Sequence, residues 1–207
     1  MCVYFSRQSP EDCYGRFSEE QSFMRVITGI ARGRRLVAPE GLDVRPTTDK
    51  VKEGIFSAVQ FELDGAEVLD LFAGSGQLGI EALSRGAKHA VFIDSSQRAI
   101  SCVRENLRTT GLERQAEVIS RDSYDFIKLT SKTFDIIILD PPYRHSHVDN
   151  VLPFAAKKLN EGGLIICEYE AEADAPAAPE GMTLRKTYKY GKISAAVFVK
   201  AAAEEAE

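Results

Sequence analysis

At 207 residues and 44% hydrophobic composition, the chain is long enough to bury one substantial core, and no apolar run approaches the roughly eighteen residues of a membrane span. Its four scattered cysteines (Cys2, Cys13, Cys102, Cys167) form no Cys-x-x-Cys and no Cys/His cluster, which excludes a zinc framework or disulfide scaffold and fits a reducing cytoplasm. The net charge of −5 argues against a nucleic-acid binder only on average, because residues 24–52 hold seven cations against three anions while residues 53–207 carry −7.

Residues 1–23 lack the apolar core of a signal peptide and are expected to form a disordered extension. Arg25–Ile30 and Arg34–Ala38 read as two strands around an Arg-Gly turn, a small β-hairpin within residues 24–45. Arg25, Arg32, Arg34 and Arg35 put a basic patch on an otherwise acidic body, and such a patch localises contact with phosphates. A solvated, arginine-rich hairpin is the plainer alternative. Pro46 suits a loop, and Thr47 or Thr48 is placed to cap a helix through Val51, Ile55, Phe56 and Val59, a core-facing stripe.

Glu67–Phe72 reads as a strand, and Ala73–Gly79 as a tight turn entering a helix. Gly74, Gly76 and Gly79 have the G-x-G-x-x-G spacing of dinucleotide sites, and the next apolar run ends in Asp94, where a carboxylate can accept hydrogen bonds from both ribose hydroxyls. NAD and S-adenosylmethionine fit equally well up to this point. Asp70 separates them. It faces the loop from the strand end, where it repels a pyrophosphate and attracts an ammonium or sulfonium by about 4 kcal/mol gross at 4 Å and an effective dielectric near 20. The loop also lacks the Lys-Ser/Thr pair of a P-loop.

A third strand, Ala116–Ser120, leads to Asp122 and Ser123. Asp122 is placed to accept from an adenine amino group, with the Ser123 N–H reaching a ring nitrogen; either residue is also placed to cap the helix that follows. Ile136-Ile137-Ile138-Leu139 reads as a strand buried on both faces, ending at Asp140-Pro141-Pro142-Tyr143. Open α/β sheets bind ligands at such strand ends. The prolines stiffen the backbone and leave carbonyls as bare acceptors, and Tyr143 adds a ring. Acceptors beside a stacking ring suit a planar group carrying an exocyclic NH2, a nucleobase. A rigid loop with an exposed aspartate is the bland alternative.

Strands are thus expected near 67–72, 90–94, 116–120, 134–140 and 163–169, and helices near 78–85, 96–109, 123–130 and 148–159. That alternation predicts parallel strands joined by right-handed crossovers. Leu184–Tyr190 and Ser194–Lys200, joined at Gly191, predict a closing hairpin that carries a second basic cluster, Arg185, Lys186, Lys189 and Lys192, interleaved with Tyr188 and Tyr190. Residues 201–207 are expected to be a polar tail.

Taken in order, these parts resemble the class I S-adenosylmethionine-dependent methyltransferases that act on exocyclic amino groups. A closer resemblance lies in Met24-Arg25-Val26-Ile27-Thr28-Gly29, Ala31-Arg32-Gly33-Arg34-Arg35-Leu36, Arg45-Pro46-Thr47-Thr48-Asp49-Lys50-Val51-Lys52-Glu53 and the stretch DLFAGSGQLGIEALSRG at 70–86. These are similar to the RsmD family, bacterial small-subunit (16S) ribosomal RNA guanine-N2 methyltransferases, over about residues 24–200. Residues 1–23 have no place in the family pattern, in which Met24 stands where such proteins usually begin.

The resemblance implies a Rossmann-like α/β fold: a mostly parallel seven-stranded sheet over residues 46–200, helices on both faces, an antiparallel strand at the edge, and the hairpin in front. It implies S-adenosylmethionine, with S-adenosylhomocysteine as product and no metal, held by Asp70, Phe72, Gly74, Ser75, Gly76, Asp94, Asp122, Ser123 and Asp140. It implies catalysis by Asp140, Pro141, Pro142 and Tyr143, and contact with ribosomal RNA or a small-subunit particle through Arg25, Arg32, Arg34, Arg35, Arg45, Thr47 and Thr48. No membrane is implied, and a monomer is assumed.

On this reading Asp140 and the Pro141 carbonyl hold the guanine amino group for in-line attack and stabilise charge developing on nitrogen, while Tyr143 stacks on a splayed-out base. Adenine N6 or cytosine N4 is a near competitor, because the same tetrapeptide serves any exocyclic amine. An NAD-dependent oxidoreductase fits the glycine spacing, yet His89, His145 and His147 offer it little acid/base help. A non-catalytic RNA-binding module is a third class, opposed by the intact Asp70, Asp94 and Asp140.

Overall fold

The computed structural model describes residues 24–39, 48–141 and 146–200; Pro142, Tyr143, Arg45, Thr47 and both terminal segments lie outside the described residues. The elements run α1 (Asp49–Ala58), β1 (Glu67–Asp70), α2 (Gln77–Ser84), β2 (His89–Asp94), α3 (Gln97–Thr110), β3 (Ala116–Ser120), α4 (Ser123–Leu129), β4 (Phe134–Leu139), α5 (Ser146–Ala156), β5 (Leu159–Glu170), β6 (Met182–Tyr190) and β7 (Ile193–Lys200). Thr48 caps α1 through Val51 N–H and Asp122 caps α4 through Asp125 N–H, while α3 stops at Gly111 in the left-handed region.

The seven strands form one sheet in the order β3-β2-β1-β4-β5-β7-β6. β3, β2, β1, β4 and β5 pair in parallel, and β7 pairs antiparallel with both β5 and β6. The antiparallel strand therefore lies one place in from the edge rather than at it, and the edge is β6, which runs in the same sense as β4. A two-residue turn through Gly191 (φ +63°) fixes this, because β6 and β7 must be neighbours and β7 finds the free side of β5. β1 leads the chain to β2 and β3 on one side and to β4 and β5 on the other. The β1/β4 boundary is thus the switch point, where such sheets bind ligands.

Two cores sandwich the sheet. Ile55 and Phe56 of α1, Ile80 and Leu83 of α2 and Val103 and Leu107 of α3 pack on the face shown by Val68, Phe92 and Ile138. Phe126 and Ile127 of α4 and Val151 and Leu152 of α5 cover the other, with Leu69, Ile137 and Leu139. β4 is buried on both faces over its last four residues, as its aliphatic run predicts.

The N-terminal hairpin departs from expectation. Instead of two regular strands, residues 24–39 make one antiparallel bridge, Arg25 to Arg35, and otherwise lie as an arm on α2 and α3. Three backbone bonds still cross the hairpin (Val26 N–H to the Arg34 carbonyl, 3.0 Å; Gly33 N–H to the Val26 carbonyl, 2.9 Å; Leu36 N–H to the Met24 carbonyl, 2.8 Å), while other donors of the arm go to the helices. Ile27 and Thr28 N–H donate to the two oxygens of Glu81 (2.7 and 3.0 Å), Ala31 N–H to Ser84 Oγ (3.0 Å), and Ile30 N–H to the Ser84 carbonyl (2.8 Å). Asn106 closes the far side, accepting from Val37 N–H (2.8 Å) and donating to the Val37 carbonyl (2.9 Å). Glu81, Ser84, Asn106 and Lys52 are all buried, so the arm's backbone satisfies polar groups that would otherwise be stranded. Val26, Ala31 and Leu36 enter the same core as α1 and α2.

Candidate functional site

Register places three carboxylates together. Asp70 ends β1 opposite Phe92 on β2 and Ile138 on β4. Asp94 and Asp140 each follow two residues later, and because side chains alternate along a strand all three share one face at the switch point.

Asp70 is fully buried. Its Oδ2 accepts from Gly79 N–H at 3.0 Å, and its Oδ1 has no hydrogen-bond donor among the described residues. Burial pushes its pKa up to about 7; the Gly79 bond opposes this, while Asp140 and Asp94 add to it. Asp140, just past β4, is mostly buried and raised to about 6, again by desolvation. An orphaned, buried acceptor with two carboxylates nearby is a site that a cation completes. The ammonium and sulfonium of S-adenosylmethionine have that chemistry, and a pyrophosphate has the opposite.

The glycines have distinct tasks. Gly74 (φ +54°) and Gly76 (φ +77°) turn the chain through the left-handed region, and Gly76 N–H closes the turn on the Ala73 carbonyl. A Cβ on Gly74 would meet nothing nearer than 4.0 Å, so this loop presents bare backbone to open space, as a ligand-cradling turn must. Gly79 is a packing glycine: a Cβ there would stand 2.3 Å from the Phe92 ring and 3.1 Å from Asp70 Oδ2. Gly79→Ala is expected to destabilise the fold by about 1–3 kcal/mol and to weaken cofactor binding, as read by thermal unfolding and titration calorimetry.

Asp94 braces the loop. Its Oδ2 accepts from Gly74 N–H (2.9 Å) and its Oδ1 from Ser96 N–H (2.8 Å). Each oxygen keeps a second lone pair for a ribose hydroxyl. Phe72 is partly buried against the α4–α5 core, and Ser75 is buried, its carbonyl accepting from Asn106 (2.8 Å) and its hydroxyl contacting Met24 Sδ (3.2 Å). Asp122 is exposed and acts as the α4 cap, accepting from Asp125 N–H at 3.0 Å. The Ser123 hydroxyl donates to the Leu71 carbonyl, tying α4 to the end of β1. Pro141 is partly buried beside Asp140.

Arg25, Arg32, Arg34 and Arg35 are all exposed on the arm, with Arg25 paired to Asp49 at 2.8 Å. The arm starts beside the glycine loop at Met24 and turns at Gly29 against Ser84, the far end of α2. The Arg32-Gly33-Arg34 turn is therefore about 12 Å from the loop along the eight-residue helix. Thr48 acts as the α1 cap. Sequence reasoning missed the seat of this arm, Glu81, Ser84, Asn106 and Lys52. Its partners lie 27 to 69 residues away in sequence, and no local pattern marks them.

A family profile described as "Conserved hypothetical protein 95" matches residues 24–199. The chain is 40% identical to YlbH of Bacillus subtilis (86% of this chain, 99% of YlbH). It is 37% identical to the ribosomal RNA small subunit methyltransferase D of Haemophilus influenzae (83% and 91%). Among solved structures, yhhF of Escherichia coli superposes with a TM-score of 0.79 at 30% identity, covering 87% of this chain and 99% of that one.

Proposed function

The chain belongs to the conserved hypothetical protein 95 family, the RsmD family, and from that membership we propose that it is an S-adenosylmethionine-dependent methyltransferase acting on guanine N2 of small-subunit ribosomal RNA. The observation that carries the chemistry is the buried Asp70 with its unpartnered Oδ1, beside a bare glycine turn and two further carboxylates at the switch point. Relatives named as small-subunit ribosomal RNA methyltransferases support the RNA substrate.

The cofactor, when bound, supplies an electrophilic methyl carbon on a sulfonium. Asp70 would neutralise its positive end, the Gly74–Gly76 turn would receive it against backbone, and Asp94 would accept from its ribose hydroxyls. Asp122 and the Ser123 N–H would meet the adenine edge. Asp140 and the Pro141 carbonyl would accept from the guanine amino group, orient its nitrogen for attack and stabilise the charge it gains. Tyr143 is assigned the stacking role from its sequence position. The proton leaves once nitrogen is cationic, so no strong base is needed beforehand.

Incubation with a labelled methyl donor and ribosomal RNA from a strain lacking the enzyme tests this reading, with the labelled nucleotide then mapped. Label on guanine N2 of the small-subunit RNA is expected; label on adenine or cytosine would transfer the same site to a different amine. The exposed arm arginines are the proposed phosphate contacts, together with Arg45, Thr47 and Thr48. Replacing Arg34 and Arg35 with alanine should weaken RNA binding and flatten the slope of log affinity against log salt by about one to two, without changing cofactor affinity. Binding unchanged across a salt series would remove the arm from the interface.

A further inference from the structure

We propose that the outer edge of the sheet, β6 with the turn into β7, is a second RNA-contacting surface that holds the strand flanking the target base; this rests on ribosomal RNA being the substrate. Lys186, Lys189 and Lys192 are exposed along this edge, and Tyr188 and Tyr190 are partly buried between them. The two rings lie parallel (interplanar angle 5°) with centroids 6.4 Å apart, and the Lys186 ammonium sits 5.2 Å over Tyr188. Tyr190 is wedged against α1, since a Cβ on Gly54 would stand 1.9 Å from its hydroxyl. The edge thus seats Lys186 on a fixed aromatic base, with Lys189 on the other face of the same strand and Lys192 in the turn. Arg185 is committed to Glu62 at 2.6 Å and is not counted with them.

Position relates the edge to the reacting centre. Leu139, the residue before Asp140, shares one lateral row with Cys167, Ala196 and Thr187. β6 also runs in the sense of β4, so Lys186 and Tyr188 flank the level at which β4 ends, and Lys189 continues past it as Asp140 does. Three interstrand spacings of ~4.8 Å separate the two, about 14 Å. A nucleic-acid strand crosses that interval in roughly four stacked nucleotides at ~3.4 Å each. Glu168, between them, is buried away from such a strand. The exposed Glu172 and Asp174 lie past the end of β5 and repel phosphate there. Residues 53–207 carry −7, so three lysines here stand out against their own surroundings.

Lysines on a bare edge also keep sheets from pairing with one another. Charge reversal separates the two roles, because glutamates guard an edge equally well and repel phosphate. The variant carrying Lys186→Glu, Lys189→Glu and Lys192→Glu is compared with the parent on a small-subunit RNA fragment that includes the flanking strand. KM for RNA should rise at least tenfold, kcat should change less than twofold, S-adenosylmethionine affinity should hold, and the salt slope should fall by about two to three. Lys189→Ala alone, a single exposed change, should lower the slope by about one. An unchanged KM and slope overturns the proposal, as does an equal KM loss on a fragment trimmed of the flanking strand. A parent protein that binds no ribosomal RNA overturns the substrate reading, and this surface falls with it.

Discussion

Asp140→Ala is expected to lower methyl transfer roughly 10²–10³-fold in kcat while leaving S-adenosylmethionine affinity within a few-fold of the parent. On the proposed assignment the carboxylate acts on the accepting amine, so its loss would remove an interaction that strengthens as nitrogen becomes cationic, whereas the methyl donor would be held chiefly from β1, the glycine turn and β2. Asp140 also raises the pKa of Asp70. Removing it leaves Asp70 more ionised at neutral pH, which favours a cationic ligand. In the parent the ionised Asp140 is the stronger acceptor for an amine gaining charge, and its pKa stands at about 6 in the ligand-free protein, so kcat/KM should fall as pH drops below that value. Wild-type turnover by Asp140→Ala would end its assignment to the reaction.

Asp70→Asn should have the largest effect on cofactor binding, and it should move stability the other way. The folded pKa of about 7 lies above the ordinary 3.8, so between those values the folded protein holds more protons than the unfolded chain. Stability from this residue is therefore complete below about pH 4 and is lost as pH rises towards 7. Asparagine can still accept from Gly79 N–H and carries no charge to desolvate. Asp70→Asn should thus stabilise the ligand-free protein at pH 8, by an amount on the order of a few kcal/mol, and flatten its pH dependence. A cation needs the ionised form, so the parent's affinity for S-adenosylmethionine should climb about tenfold per unit up to pH 7 and level off above it. The variant should bind at least about a hundredfold more weakly at pH 8, with no such climb. A variant that bound as tightly as the parent would remove Asp70 from the cofactor site.

The residues that sequence alone exposes are those whose signal is local. An aliphatic tetrad ending in aspartate, a glycine triplet after a short strand, and an acidic residue closing the next strand each state their place within ten residues, and register then carries Asp70, Asp94 and Asp140 to one face. Competing local uses were resolved less fully. Asp122 caps α4, Thr48 caps α1, and the Ser123 side chain ties α4 to β1, so these residues have structural tasks besides any ligand contact. The arm misled for a physical reason. Arg25–Ala38 has hairpin composition and keeps three bonds across the turn, yet the amides of Ile27, Thr28, Ile30 and Ala31 go to Glu81 and Ser84, so no regular two-stranded ladder forms. Glu81 looks like any helical glutamate until the arm lies over it. The position of β7 was likewise out of reach, since hairpin composition says that two strands pair but not which of them takes the inner place.

The seating of that arm sets an order of events during synthesis. It leaves the ribosome ahead of everything that receives it: Ile27 is made 54 residues before Glu81, and Val37 69 residues before Asn106. At 5–20 residues per second, its amides wait roughly 3–14 s for partners. Through that interval an arginine-rich segment hangs solvated beside the nascent helices. It becomes part of a folded body only when α3 is complete, so the first described residues of the chain are among the last to find their place.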